Sequence, residues 1–229
     1  MKMYFDKNEY NSPWFFKNSQ KWDKIFYDRE FKVVKKDAII IHQGSIVNDI
    51  YFVKEGRIRF SILSEDGEEK TIFIMDKGNI FGDVAAANSS LSSMKVTAVT
   101  DCVLYMIESQ QFFERIYKDN ELLSIWISNM TSTVEYLINH IKDITFLDTF
   151  KLVAEYLLKL RIHYGIQTPR GIKLDIHFTH QEMADLIGSS RVTVSKIMTF
   201  LKKENMIDRI DGYFYITDLK KLEKFIDSD

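Results

Sequence analysis

Thr179-His-Gln-Glu-Met-Ala-Asp-Leu-Ile-Gly-Ser-Ser-Arg-Val-Thr-Val-Ser-Lys-Ile-Met-Thr-Phe-Leu-Lys-Lys203 reads as two short helices joined by a tight turn. Thr179 followed by Glu182 is a capping box, in which each side chain bonds the other's backbone N–H, so a helix starts there. Met183, Ala184 and Ile187 recur at helical spacing, and the small Ala184 lets a second helix cross closely. Gly188 can take the left-handed conformation that ends the first helix. Ser190 is a natural N-cap for the second, whose Val194, Ile197, Met198 and Leu201 form one apolar stripe. The pattern is a helix-turn-helix. Arg191, Val192, Ser195 and Lys196 lie near the N-terminus of the second helix, away from that stripe, where a recognition helix meets base edges. Ser190 to Lys203 holds four basic residues and no acidic ones. An arginine can fork onto guanine, and a lysine can reach a base or a phosphate. An ordinary helical hairpin with a basic solvated face would show the same local pattern, so the rest of the chain has to decide.

Downstream, Met206–Ile210 and Tyr213–Thr217 flank Asp211-Gly212, a hairpin signal, and a short helix is expected over Asp218–Phe225. Upstream lie a helix over about Asp148–Ile162, a loop from Gly165 to Gly171 and a strand over Ile172–Phe178. The C-terminal third is therefore expected to be a winged helix.

Between Phe31 and Ile107 the texture is different. Short β-rich runs (Phe31–Val34, Ala38–His42, Ile50–Lys54, Arg57–Leu63, Lys70–Met75, Met94–Val99 and Cys102–Ile107) alternate with turns such as Glu55-Gly56 and Asp66-Gly67. Regular short strands of this kind suggest a sandwich or jelly-roll barrel. The preceding segment to Phe26 is rich in aromatics (Tyr4, Phe5, Tyr10, Trp14, Phe15, Phe16, Trp22) without a clean period. It is read as an irregular lead-in with a short helix packed onto the barrel.

A short helix over Ser109–Tyr117 and a long one from Asn120 to about Ile144 join the two regions. Leu123, Ile127, Met130, Val134, Leu137, Ile141 and Ile144 alternate four and three apart, the seam of a two-helix coiled coil roughly 35 Å long. Packing against the barrel would account for the additional Ile125, Trp126 and Ile138. The expected architecture is α+β, with residues 1–119 a β-roll, 120–145 a dimerisation helix and 146–229 a winged helix-turn-helix domain.

Composition narrows the function. The chain has 229 residues, 45% hydrophobic, and a net charge of −2, which disfavours a non-specific polyanion binder but allows a DNA reader with charge confined to one face. A single cysteine, Cys102, excludes an internal disulfide framework and is read as a buried, inert thiol. The absence of a long apolar run and of a signal-peptide pattern leads to the expectation of a cytoplasmic protein with no membrane partner.

The order β-barrel, long helix, winged helix resembles the family of the cyclic-AMP receptor protein and the fumarate/nitrate-reduction regulator (Crp/Fnr), over nearly the full chain. Lys77-Gly-Asn-Ile-Phe-Gly-Asp83 resembles the family's barrel motif, in which a glycine precedes an acidic residue. Phe146-Leu-Asp148 resembles the hinge before the DNA-binding domain, and the helix-turn-helix is the third match. The resemblance implies a homodimeric bacterial transcription factor on a two-fold symmetric DNA operator, with RNA polymerase as partner and a small-molecule effector or redox signal sensed in the barrel. It places DNA contacts at Thr179, His180, Gln181, Ser189, Ser190, Arg191, Val192, Thr193, Ser195 and Lys196. It places effector contacts at Gly82, Asp83, Ser92, Ser93, Lys95, Leu137 and Ile138.

Two departures from the family's pattern shape the expectation. The arginine-serine pair that holds the cyclic phosphate is Ser92-Ser93 here, and two hydroxyls meet a buried phosphate poorly. Lys95 is expected to point the other way along its strand. Leu137 and Ile138 stand where the family contacts adenine. Cyclic AMP is therefore disfavoured. An iron-sulfur cluster needs thiolates that one cysteine cannot supply. Haem is not expected either, because His42, His140, His163, His177 and His180 form no recognisable axial pair, with His140 read as polar surface. A small, partly apolar organic acid or phenol suits the remaining chemistry. Val192-Thr-Val-Ser195 and Leu201-Lys-Lys-Glu-Asn205 resemble the branch that controls reductive dehalogenation. On the recognition helix, Arg191 and Lys196 match the charges of the family's Arg-Glu-x-x-x-Arg, but Val192 replaces glutamate and can contact a thymine methyl instead of accepting from cytosine.

Two readings from other classes are weighed. A cupin-type barrel enzyme needs clustered histidines, and the barrel region holds only His42. A dimeric adaptor could use the winged helix for protein contacts alone.

Overall fold

The computed structural model describes residues 14–15 and 19–227, so the aromatics at 4, 5, 10 and 16 lie outside the described residues. The chain divides into two compact units, Trp14–Thr131 and Ser132–Asp229, with the division falling inside the long helix.

The first unit contains strands β1 (Trp14–Phe15), β2 (Phe31–Val34), β3 (Ile39–Ile41), β4 (Asp49–Glu55), β5 (Arg57–Leu63), β6 (Glu69–Asp76), β7 (Ile80–Phe81), β8 (Lys95–Ala98) and β9 (Cys102–Glu108). Its helices are α1 (Ser19–Phe26), α2 (Asp83–Ala87), α3 (Ser109–Ile116) and the first part of α4 (Asn120–Phe146). One sheet runs β1-β6-β5-β8-β3 and the other β2-β9-β4-β7. All pairings are antiparallel except β1 with β6. Alternation along β5 and β6 buries Ile58, Phe60 and Phe73. Phe60 stacks on Phe73 at 4.4 Å and meets Phe81 edge-on at 6.0 Å. The β4–β5 turn uses Gly56 at φ +90°, where a Cβ would stand 2.4 Å from the Asp101 carbonyl, so only glycine fits.

Trp22, Ile25 and Phe26 of α1 form one cluster with Ile50, Phe52, Ile80, Ile107, Phe112, Ile116 and Leu122. Ile125 and Trp126 of α4 pack against it, so one face of the long helix is taken by the barrel. Cys102 is buried, and its thiol donates towards the carbonyls of Arg57 and Thr100.

The second unit holds the remainder of α4, then α5 (Thr149–Tyr164), β10 (Gly165–Thr168), β11 (Gly171–Leu174), α6 (His180–Ile187), α7 (Arg191–Lys203), β12 (Ile207–Ile210), β13 (Tyr213–Ile216) and α8 (Leu219–Asp227). Asp148 caps α5 by accepting from the N–H groups of Phe150 and Lys151 at 2.8 and 3.0 Å. The four strands form an antiparallel sheet in the order β10-β11-β13-β12.

Two expectations are corrected here. Gly165–Gly171 is not a plain loop, because its first half is β10, paired with β11 from Gly165↔Leu174 to Thr168↔Gly171. His140 is not polar surface: it is 5% exposed and turned against α5. Strands β1 and β7, with two residues each, and the five-residue α2 were absent from the expected elements because none is long enough to show a period.

Candidate nucleic-acid interface and effector site

The helix-turn-helix is held by local chemistry at every corner. Thr179 Oγ1 accepts from Glu182 N–H at 3.1 Å, and Glu182 Oε2 accepts from Thr179 N–H at 2.7 Å. Gly188 ends α6 at φ 68°, ψ 40°, and its N–H donates to the Ala184 carbonyl. Ser190 Oγ then accepts from Thr193 N–H at 3.0 Å and starts α7. Met183, Ala184, Leu186 and Ile187 of α6 and Val194, Ile197, Met198 and Leu201 of α7 are all buried. At roughly 25 cal/mol per Å² of apolar surface, this burial is what fixes the crossing of the two helices.

With that stripe inward, Arg191, Val192 and Lys196 face out, and Val192 is 63% exposed. A bare valine at the tip of a cationic helix gains nothing from water. Thr193, Ser195 and Ser189 are half-buried. Gln181 is exposed, and its amide donates to Asp185 at 2.6 Å. His180 ties the helices together through Nδ1 and Ser195 Oγ, 2.8 Å apart. Partial burial, then the charges of Arg209 and Arg191, hold the His180 pKa below the ordinary histidine value. The ten residues expected at the interface thus lie around the N-terminal ends of α6 and α7.

Arg209 was not among the expected contacts. It stands on β12, opposite Phe214 on β13, with its guanidinium 5.1 Å over the Phe214 ring. That ring also lies 5.9 Å from His180, so the wing brings a further cation beside the helix-turn-helix. Its only signal in sequence was an arginine two residues before Asp211-Gly212. Nothing local says which face of the wing it takes.

In the first unit, Gly82 precedes Asp83 at φ +92°, and a Cβ there would stand 2.6 Å from the Asp49 carbonyl. Asp83 is buried and accepts from Trp126 Nε1 at 2.8 Å. Burial raises its pKa against the bonds from Trp126 and from the backbone. Trp126 was read as packing alone; its indole N–H is also the donor to this carboxyl. Ser92 donates its hydroxyl to the Met94 carbonyl at 2.7 Å, and Ser93 is exposed. Lys95 Nζ lies 2.5 Å from Glu69 Oε2, so its charge is already met. Burial opposes the Glu69 charge, but the bonds from Lys95 and Ser61 and the nearby Arg59 outweigh it and hold its pKa low. Leu137, half-buried, and Ile138, exposed, belong to the second unit.

A family model described as cyclic nucleotide-binding domain matches residues 31–119, and one described as Crp-like helix-turn-helix domain matches 153–225. The chain is 26% identical over 174 residues to the global nitrogen regulator of Synechocystis sp., covering 75% of this chain and 77% of that protein. It is 27% identical over 172 residues to the cAMP-activated global transcriptional regulator CRP of Salmonella typhimurium, covering 74% and 81%.

The chain belongs to the Crp/Fnr family of transcription regulators.

The Crp/Fnr fold is matched along its length. A CooA mutant from Carboxydothermus hydrogenoformans superposes with a TM-score of 0.80 at 22% identity, over 92% of this chain and 96% of that one. OCPA-complexed CprK gives 0.75 at 17% identity, over 92% and 97%. Among the described residues, no helix of this Crp/Fnr protein is long and apolar enough to cross a membrane.

Proposed function

We propose that this Crp/Fnr protein is a homodimeric regulator that reads a palindromic operator with α7, under the control of a small organic effector other than cyclic AMP. The observation that carries the DNA reading is the division of α7 into a fully buried apolar stripe and an exposed end bearing Arg191, Val192 and Lys196. Such an end fits the major groove. Val192 in place of an acid favours thymine at the position it meets, which makes the half-site richer in A·T. In this reading RNA polymerase is the recruited partner and the cytoplasm is the working compartment. Residues 1–119 sense, 120–145 join two subunits and 146–229 bind DNA.

Dimerisation is supported by the seam on α4. Ile127, Val134, Ile141 and Ile144 are exposed in the single chain although apolar, at 51%, 56%, 59% and 43%, while Leu123, Met130 and Leu137 are half-buried. The effector reading is supported by the side chains at the expected site. Ser92 has already donated its proton, Lys95 is paired with Glu69, and neither leaves a charge for a phosphate. An organic acid or phenol needs less. The matched relatives are transcription regulators, which disfavours a barrel enzyme.

Fluorescence anisotropy with labelled duplexes from the protein's own upstream region tests the DNA reading. Arg191→Ala should cost roughly 1–3 kcal/mol on the best site and relax one base position. An equal loss on every sequence would place Arg191 on phosphate, and no saturable binding by the parent protein would remove the proposal.

A further inference from the structure

Several cations around the wing have a carboxylate at hand. Lys173 pairs with Asp175 at 2.6 Å, Lys202 with Asp208 at 2.7 Å and Lys221 with Glu204 at 3.1 Å. Arg209 does not. It is exposed, and among the described residues its guanidinium enters no ion pair. What it meets is an aromatic face, the Phe214 ring 5.1 Å away.

That ring is a fixed plate. Phe214 is buried, directly across the β12–β13 ladder from Arg209. It stacks on Phe178 at 4.8 Å, and Phe178 immediately precedes Thr179, the N-cap of α6. The same ring lies 5.9 Å from His180, which is bonded to Ser195 on α7. The place of Arg209 is thereby set relative to both helices of the helix-turn-helix. Arg191 and Arg209 both stand close enough to His180 to oppose its protonation, so two guanidinium groups and an imidazole converge beside the start of α7. The acids of the neighbourhood are engaged elsewhere, Asp208 with Lys202, Asp185 with Gln181 and Glu182 with the Thr179 N–H.

A guanidinium is planar, so lying on a ring leaves its edge N–H donors available to fork onto a pair of oxygens. A side chain already laid in place also loses less rotamer freedom when its partner arrives. The major groove admits one helix, and α7 is that helix in the reading above. A cation held on the wing beside the helix pair therefore meets the strand bordering the groove and not the base edges within it.

We propose that Arg209 binds a phosphodiester of the DNA strand flanking α7, and that Phe214 is the positioning residue that presents its guanidinium. The contact adds affinity and fixes the orientation of α7 without reading sequence. It rests on the DNA reading proposed above, and the two fail in different ways.

The test is fluorescence anisotropy at a series of salt concentrations, with a duplex from the protein's own upstream region and a scrambled duplex of the same length and composition. Arg209→Gln should weaken binding to both by the same factor. The slope of log affinity against log salt should become shallower by about 0.9 per chain, or roughly 1.8 for a dimer. Arg209→Lys keeps the charge but not the planar fork, so it should restore the slope and only part of the affinity. Arg209 is exposed, and melting curves report whether both variants are folded. Arg191→Ala, by contrast, should act on the upstream duplex alone. An unchanged slope in Arg209→Gln, with the parent binding normally, overturns this proposal and leaves the DNA reading intact. A loss confined to the upstream duplex would put Arg209 on a base edge and overturn it as well. Full recovery of affinity by lysine would overturn the role of Phe214, and a parent that binds neither duplex removes both readings.

Discussion

His180 stands beside two arginines, Arg191 on α7 and Arg209 on β12, and shares a hydrogen bond with Ser195. On its own helix, Glu182 is occupied with the Thr179 N–H and Asp185 with Gln181. Burial and then the two guanidinium groups hold its pKa below the ordinary histidine value and favour the neutral ring. Phosphates arriving at the interface reverse that balance and favour the imidazolium. Operator binding should therefore take up a proton, and affinity should rise as pH falls towards the range in which histidine titrates. His180→Gln should flatten the profile; an unchanged slope would detach His180 from DNA. Asp83 gives the opposite kind of linkage. Its carboxyl pKa is raised by burial, so the folded chain holds the proton more tightly than the unfolded one. The stability this supplies is complete below the ordinary value of 3.8 and is lost as pH rises through the folded value. Asp83→Asn keeps an acceptor for Trp126 Nε1 and removes the charge. Its melting temperature should gain on the parent's as pH increases towards 7, and a shrinking gap would contradict the assignment.

Helices and turns with self-contained signals were legible in the sequence. Thr179 with Glu182, Gly188 and Ser190 each announce a boundary through bonds made within four residues, and α6 begins and ends, and α7 begins, where those residues require. Elements whose reason lies elsewhere in the chain were not. β10 exists because Gly165–Thr168 finds β11, and its own residues carry no strand period. His140 read as surface because a histidine off the heptad seam looks solvated, while its partner Tyr156 lies sixteen residues on, in another helix. Asp83 and Trp126, forty-three residues apart, show the same limit. The coiled-coil seam was legible as a period, but which residues the barrel takes, Ile125 and Trp126 and not Ile138, depended on packing. The seam also supplies a test at this scale. Val134→Glu with Ile141→Glu places charge on positions exposed in the single chain, so each chain should keep its fold as a monomer while melting below the dimer. Light scattering should show the mass fall from two chains to one. A parent protein already of single-chain mass would remove the dimer.

At the scale of the whole molecule, a cyclic nucleotide-binding-type domain and a Crp-like helix-turn-helix domain occur in one chain, with the long helix α4 between the segments they match. The family follows from those two domains and their order. The effector does not, because Ser92, Ser93 and Lys95 depart from the phosphate-binding pattern without spelling out a replacement. Thermal-shift screening with phenols and aromatic acids, with cyclic AMP alongside, addresses that choice. The proposed dimer, if two-fold symmetric, demands two-fold symmetry in the DNA it reads, with half-sites about one helical turn apart. The most direct measurement is selection of bound duplexes from a random library, followed by sequencing. The predicted result is an inverted repeat with A·T-rich half-sites centred roughly 10 base pairs apart, degraded at one position per half-site by Arg191→Ala. Enrichment of a single unrepeated motif, or of no sequence at all, would contradict it.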